Sequence, residues 1–186
     1  MSHHVCPWWM GYLLANPLRR LVQDPLKILT PHIRSGMTVL EPGPGMGFFT
    51  LDMARLVGPE GRVVAVDVQP QMLDVLTRRS LKAGLGSRVE TRLAEPGNLG
   101  IESLKNKVDF VLAFALVHEL PNPTDFFNQI QAALRPKGRV LMAEPNGHVT
   151  TMGFAHNLAA ANFCGLRAVE SPNIWHSRTV LLEKGK

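Results

Sequence analysis

Between Thr38 and Phe48 the chain reads TVLEPGPGMGF. An apolar strand ends at Glu41, glycines follow at 43, 45 and 47, and a helical pattern begins with Phe48, Leu51, Leu56 and Val57 as its apolar positions. Glycine tolerates positive φ, so this loop can turn sharply and bring backbone N–H groups close to a ligand. Amides gathered at a helix N-terminus favour anionic groups. Strand, glycine turn and helix in that order make a cradle for a nucleotide-type cofactor.

The rest of the chain fits around such a unit. Its 186 residues suit one domain of ordinary size, and 45% hydrophobic residues allow a sizeable core. From Gly36 onward, strand and helix patterns alternate. Strands are expected at 38–41, 63–67, 88–93, 108–114 and 139–144. Helices are expected at about 47–57, 70–84, 124–134 and 150–164. Arg135-Pro136-Lys137-Gly138 reads as the turn into the fifth strand. Two last strands, at about 167–170 and 177–182, are joined too briefly for a helical crossover and read as an antiparallel hairpin. The expected fold is α/β: a Rossmann-like doubly wound sheet of about seven strands with helices on both faces. Before it, residues 1–35 form a separate segment with two helical patches, the second started by Asp24-Pro25. Residues 36–186 form the main domain.

Two cysteines, Cys6 and Cys164, are too few for a disulfide scaffold and suit a reducing cytosol. The start of the chain lacks the basic n-region of a secretory signal, and its apolar stretch Val5–Ala15 falls short of the about 20 residues that span a bilayer. The formal charge of +5 is scattered, with only Arg19-Arg20 and Arg78-Arg79 adjacent, and so reads as solvated surface rather than a nucleic-acid patch.

The glycine spacing narrows the cofactor. A dinucleotide loop follows G-x-G-x-x-G, but Phe48 stands where its third glycine would be. The pattern is instead acid-x-G-x-G-x-G, from Glu41 through Gly43, Gly45 and Gly47, and the second strand closes on Asp67. With the terminal hairpin, this resembles the class I S-adenosylmethionine-dependent methyltransferases. The resemblance implies S-adenosylmethionine as cofactor. It implies that the loop amides around Gly43, Pro44, Gly45 and Gly47 receive the methionine carboxylate, and that Glu41 faces its ammonium. Asp67 would take the ribose hydroxyls, since one carboxylate offers two acceptor oxygens. Val68, Leu93 and Ala94 would line the adenine, and Ala113 and Phe114 would flank the cofactor near its sulfonium. Leu93 stands where family members often have an acid, which leaves the adenine-amine contact open.

The same resemblance implies methyl transfer to a small-molecule acceptor beyond the ends of the fourth and fifth strands. Candidates there are His118, Glu119 and His148 for catalysis and Glu144 for substrate contact. The segment from Leu112 to Pro123, LAFALVHELPNP, resembles small-molecule members, including the quinone-type carbon and oxygen methyltransferases. Trp8, Trp9 and Tyr12 would contact the acceptor if residues 1–35 act as a lid. The alternatives are packing of the tryptophans on the sheet and an amphipathic helix touching a membrane. No metal is expected, although Cys6 and Cys164 leave a metalloid role open and His3, His4 and Cys6 a weak zinc one. An RNA methyltransferase and a non-catalytic S-adenosylmethionine-binding protein stand as alternative functions.

Overall fold

Asp24 starts helix α1 (Pro25–Leu29) in the computed structural model, which describes residues 19–20 and 23–185. Its Oδ1 accepts the Leu26 N–H at 3.0 Å, and Pro25 fills the first helical position, where a missing N–H costs nothing. Trp8, Trp9 and Tyr12 of the expected lid lie outside the described residues.

The chain divides into two compact units at Pro96 and Gly97. In the first, β1 (Thr38–Pro42), α2 (Thr50–Leu56), β2 (Arg62–Asp67), α3 (Pro70–Lys82) and β3 (Val89–Leu93) alternate. β2 runs between β1 and β3 and parallel to both. Val39, Leu40, Val63, Val64 and Ala65 are fully buried, as continuous apolar runs are in parallel strands covered on both faces. The register sets Pro42 opposite Val66 and Asp67 opposite Leu93. Glu41, Asp67 and Leu93 therefore reach the same carboxyl edge, where open α/β sheets bind their ligands. In α2, buried Asp52 is flanked by Arg20 Nη2 and Arg55 Nη1, each at 2.8 Å, which supply the countercharge a buried carboxylate needs.

The second unit holds β4 (Val108–Phe114), α4 (Pro123–Ala133), β5 (Leu134–Pro145), α5 (Thr151–Phe163), β6 (Leu166–Glu170) and β7 (Ser177–Lys184). β4 and β5 are parallel, whereas β7 is antiparallel to both β5 and β6. The strand order of the seven-stranded mixed sheet is β3-β2-β1-β4-β5-β7-β6. Asn122 caps α4 ahead of Pro123, and the Thr150 hydroxyl caps α5 by accepting Gly153 N–H at 3.0 Å. Lys184 Nζ donates to the carbonyls of Gln131 and Leu134 at 2.7 Å, satisfying acceptors that the end of α4 leaves open. No helix among the described residues is long and apolar enough to cross a membrane.

Three local features depart from the pattern. The first crossover helix starts at Thr50 rather than 47, because Gly45 and Gly47 sit at φ +53 and +84 and hold a turn. Arg135–Gly138 is not a simple turn. It lies within β5, where Lys137 takes φ +63 and the register jumps from Val108↔Leu134 to Phe110↔Arg139, so it bulges from a continuing strand. Short 3-10 turns at Glu102–Leu104 and Val117–Glu119 are too brief to leave a helical period.

Leu112 and Phe127 have no exposed surface. Truncating either to alanine is expected to cost about 2–5 kcal/mol, through lost burial and a residual cavity. Leu81→Ala, at a side chain 65% exposed, should stay within about 0.5 kcal/mol. Urea titration followed by circular dichroism measures both.

Candidate functional site

The glycine loop is shaped by its own backbone. Gly43, Gly45 and Gly47 all have positive φ, at +67, +53 and +84. The Gly43 amide donates to Val66 O at 2.8 Å and the Gly47 amide to Pro44 O at 3.0 Å, so neither is available to a ligand. The amides of Gly45 and Met46 donate to no described residue. A Cβ built on Gly45 would meet nothing within 4 Å, whereas one on Gly47 would strike Leu76 Cδ1 at 2.5 Å. The loop thus faces open space at Gly45 and packs against α3 at Gly47. Arg79 of α3 donates to the Met46 carbonyl and holds the loop from behind. Phe48, at the position of the missing dinucleotide glycine, is a core residue. It meets Phe49 edge-on at 4.9 Å, with the Arg19 guanidinium 4.4 Å from its ring centroid.

Two carboxyl groups stand at the edge of this loop. Glu41 is buried, and the Thr50 hydroxyl donates to its Oε2 at 2.5 Å. Burial pushes the Glu41 carboxyl up to about 8; the Thr50 hydrogen bond opposes this and the charge of Asp67 adds to it. Asp67 is 9% exposed, and its Oδ1 accepts the Gln69 N–H at 3.0 Å. That bond forms a local turn ahead of α3, whose N-cap is Gln69 and not Asp67. Val68 and Leu93 are large apolar side chains left 41% and 61% exposed, while Ala94 is buried with its amide on Asp67 O at 2.9 Å. Free amides, two acidic groups and exposed apolar flanks fit a cofactor with a carboxylate, an ammonium, a ribose and an adenine, as S-adenosylmethionine has. Ala113 is buried and Phe114 half-buried at the end of β4, in the other unit.

In that second unit the chain leaves β4 through Ala115, a non-glycine residue at φ +52, whose amide donates to Ala143 O at 2.7 Å. The left-handed turn aims the 3-10 turn that carries His118. Glu144, at the end of β5, has no exposed surface. Its Oε1 accepts the Val117 N–H at 2.7 Å, and its Oε2 lies 2.5 Å from His118 Nδ1. The expected substrate contact for Glu144 is therefore replaced by a place behind His118, since both its oxygens are engaged and neither meets solvent. The hydrogen bond to Glu144 raises the His118 pKa above its usual value, against the opposing effect of burial. Glu119 Oε1 stands 4.0 Å from His118 Nε2.

His118 and His148 meet with ring centroids 5.8 Å apart and planes at 65°. Both line a cavity of ≈ 590 Å³ with walls that include Leu120, Pro121, Pro123 and Val149. That volume is in the range of small-molecule sites. Arg178 of β7 steadies the loop bearing His148, donating to Asn146 Oδ1 and Val149 O at 2.9 Å. His156 also lines the cavity, whereas His176 lies outside it and is exposed. Sequence reasoning missed Thr50, Ala115 and Asn157. Only Asn157 left a signal, as an amide within the apolar run of α5. No group of three or more metal-ligating side chains occurs among the described residues.

Residues 33–180 match the family model described as Methyltransferase domain. A SAM dependent methyltransferase from Aquifex aeolicus shares the fold with a TM-score of 0.85 and 25% identity, over 96% of this chain and 99% of that one. An arsenite methyltransferase from Halobacterium salinarum is 34% identical over 109 residues, 59% of this chain and 27% of the relative. A ubiquinone biosynthesis O-methyltransferase from Xanthomonas euvesicatoria is 26% identical over 157 residues, 84% of this chain and 62% of the relative. The chain thus spans only part of the length of these curated relatives. The glycine cradle with its paired acids, the mixed seven-stranded sheet and the family match agree: the chain belongs to the methyltransferase-domain family and has the Rossmann-like fold of class I S-adenosylmethionine-dependent methyltransferases.

Proposed function

We propose that this protein transfers a methyl group from S-adenosylmethionine to the hydroxyl oxygen of a small, largely apolar ring compound, with His118 as general base. The observation that carries this reading is the His118–Glu144 pair at 2.5 Å, at the wall of an apolar cavity. Hydrogen bonding of Nδ1 to a carboxylate leaves Nε2 as the ring nitrogen that can take a proton, the usual arrangement of a histidine base. Glu144 is a positioning residue. It fixes the ring and stabilises the imidazolium formed when the acceptor hydroxyl gives up its proton. His148 and the apolar walls hold the acceptor and exclude water.

The cofactor supplies, when bound, an electrophilic methyl on a sulfonium and leaves as a neutral thioether. Gly45 and Met46 amides would hold its carboxylate, Glu41 its ammonium, Asp67 its ribose, and Val68, Leu93 and Ala94 its adenine. Ala113 and Phe114 are the proposed contacts near the sulfonium. The new carbon–oxygen bond forms as the carbon–sulfur bond breaks, in line.

A metalloid acceptor, as the name of the Halobacterium relative suggests, fits the described residues less well. Soft ions are held by thiolates. The described cysteine, Cys164, has its Sγ on Thr124 O at 3.5 Å, and burial raises its thiol pKa. Only two cysteines in 186 residues favour a reducing, cytosolic setting.

Incubation of the protein with methyl-labelled S-adenosylmethionine and a panel of phenols tests the reading. Labelled aryl methyl ethers are the expected product, and label in none of them rejects it. His118→Ala should lower kcat/KM by about 10²–10⁴ while S-adenosylhomocysteine binds as before. In wild type, activity should rise with pH through an inflection above the ordinary histidine value of 6.5. Glu144→Gln removes the charge that favours imidazolium, so the inflection should move to lower pH as the rate falls.

Glu41 gives a separate pH signature. Its folded-state value of about 8 lies above its ordinary 4.5, so between these the folded protein holds a proton that the unfolded chain has released. That contribution to stability is full below about 4.5 and is lost as pH rises through about 8. Thermal unfolding of the free protein should follow this slope, and Glu41→Gln should flatten it. Affinity for S-adenosylhomocysteine should strengthen from pH 6 to 8 in wild type, as Glu41 ionises opposite the ammonium, and change little in Glu41→Gln.

A further inference from the structure

The amide of Asn157 has no place in the mechanism above, yet it is one of the few buried polar side chains in the second unit. It sits in the interior of α5, 5% exposed, surrounded by the apolar run FAHNLAAA. It lines the same cavity as His118 and His148. Its carboxamide is not among the closed-off polar atoms of the described residues, so a residue 5% exposed keeps its polar end open to the cavity it lines. An amide that meets solvent only through the cavity can exchange that water for a ligand oxygen, whereas an apolar residue would serve the helix equally well. A carboxamide also carries both donors and an acceptor, so it can meet a hydroxyl or a carbonyl oxygen equally well.

We infer that Asn157 is a specificity-determining residue of the acceptor cavity, and that it reads an oxygen of the acceptor other than the one that is methylated. This rests on the cavity being the acceptor site. His118 would take the proton of the reacting hydroxyl, and Asn157 would bind a second oxygen on the same ring. The substrate class then narrows from phenols to rings bearing two oxygen functions. A singly oxygenated ring would leave the amide buried and unpaired in the complex, and sites that bind a polar group in this way discriminate strongly against analogues lacking it.

The simplest probes are phenol, catechol, resorcinol and hydroquinone, titrated by calorimetry into the protein saturated with S-adenosylhomocysteine. The relative position of His118 and Asn157 decides which isomer gains, so all three dihydroxybenzenes are used. At least one should bind tenfold or more tightly than phenol. In Asn157→Leu that advantage should shrink to less than twofold with phenol affinity retained, and the melting temperature should stay level or rise. Asn157→Ala should likewise lose the discrimination, which guards against a leucine that blocks the cavity. Equal binding of all four probes to wild type, or an advantage that survives in both variants, overturns the inference while leaving the methyl-transfer reading in place. A melting temperature that drops in Asn157→Leu shows a structural amide and also overturns it. Failure of every probe to bind, together with no labelled ether in the turnover assay, rejects the acceptor-cavity reading itself and this inference with it.

Discussion

Glu144 sits at the end of β5 where water does not reach it, and both its oxygens are committed, one to the Val117 amide and one to His118. Burying a carboxylate is tolerated only when such partners are in place. The consequence runs outward. The segment after β4 must come close enough for Val117 to donate. The 3-10 turn must present His118 on the correct side, and the bulge at Arg135–Gly138 must leave β5 in register with β4 up to Phe114 opposite Ala143. One carboxylate therefore ties two parallel strands, a turn and the imidazole of His118 into a single arrangement. Loss of any member would leave a polar group buried without compensation.

The first unit solves a different electrostatic problem. Glu41 and Asp67 end neighbouring strands, and burial together with their mutual repulsion disfavours having both ionised in the free protein. A ligand that brings a positive charge and hydroxyl donors relieves that conflict. The cradle is thus strained electrostatically when free and relaxed when filled, which suits a site meant for one kind of cofactor. Thr50 moderates the cost with a single hydrogen bond.

Much of this was readable from the chain itself. The strands and the last hairpin follow from apolar runs and short connections, because burial on both faces of a sheet leaves a plain compositional trace. The glycine turn is legible because a loop that must take positive φ tolerates few residue types. What was not legible depends on contacts between distant positions. Nothing local tells that Glu144 faces His118 rather than solvent, that Thr50 serves Glu41, or that Arg135–Gly138 bulges within a strand instead of ending one. The family resemblance implies ligand donors around Gly43 and Gly47, and only the backbone geometry shows that these two amides are consumed within the loop.

Ala115 has a consequence for how such a protein can drift. It holds a left-handed conformation that glycine adopts freely and alanine resists. A change to glycine would meet no stability barrier and could spread unnoticed in any selection for folding alone. It would, however, give the chain leading to His118 a second set of backbone angles. The corner is held against the preference of the alanine methyl by the Ala115 N–H bond to Ala143 O, so the strand end that leads to His118 carries a small backbone strain that glycine would release.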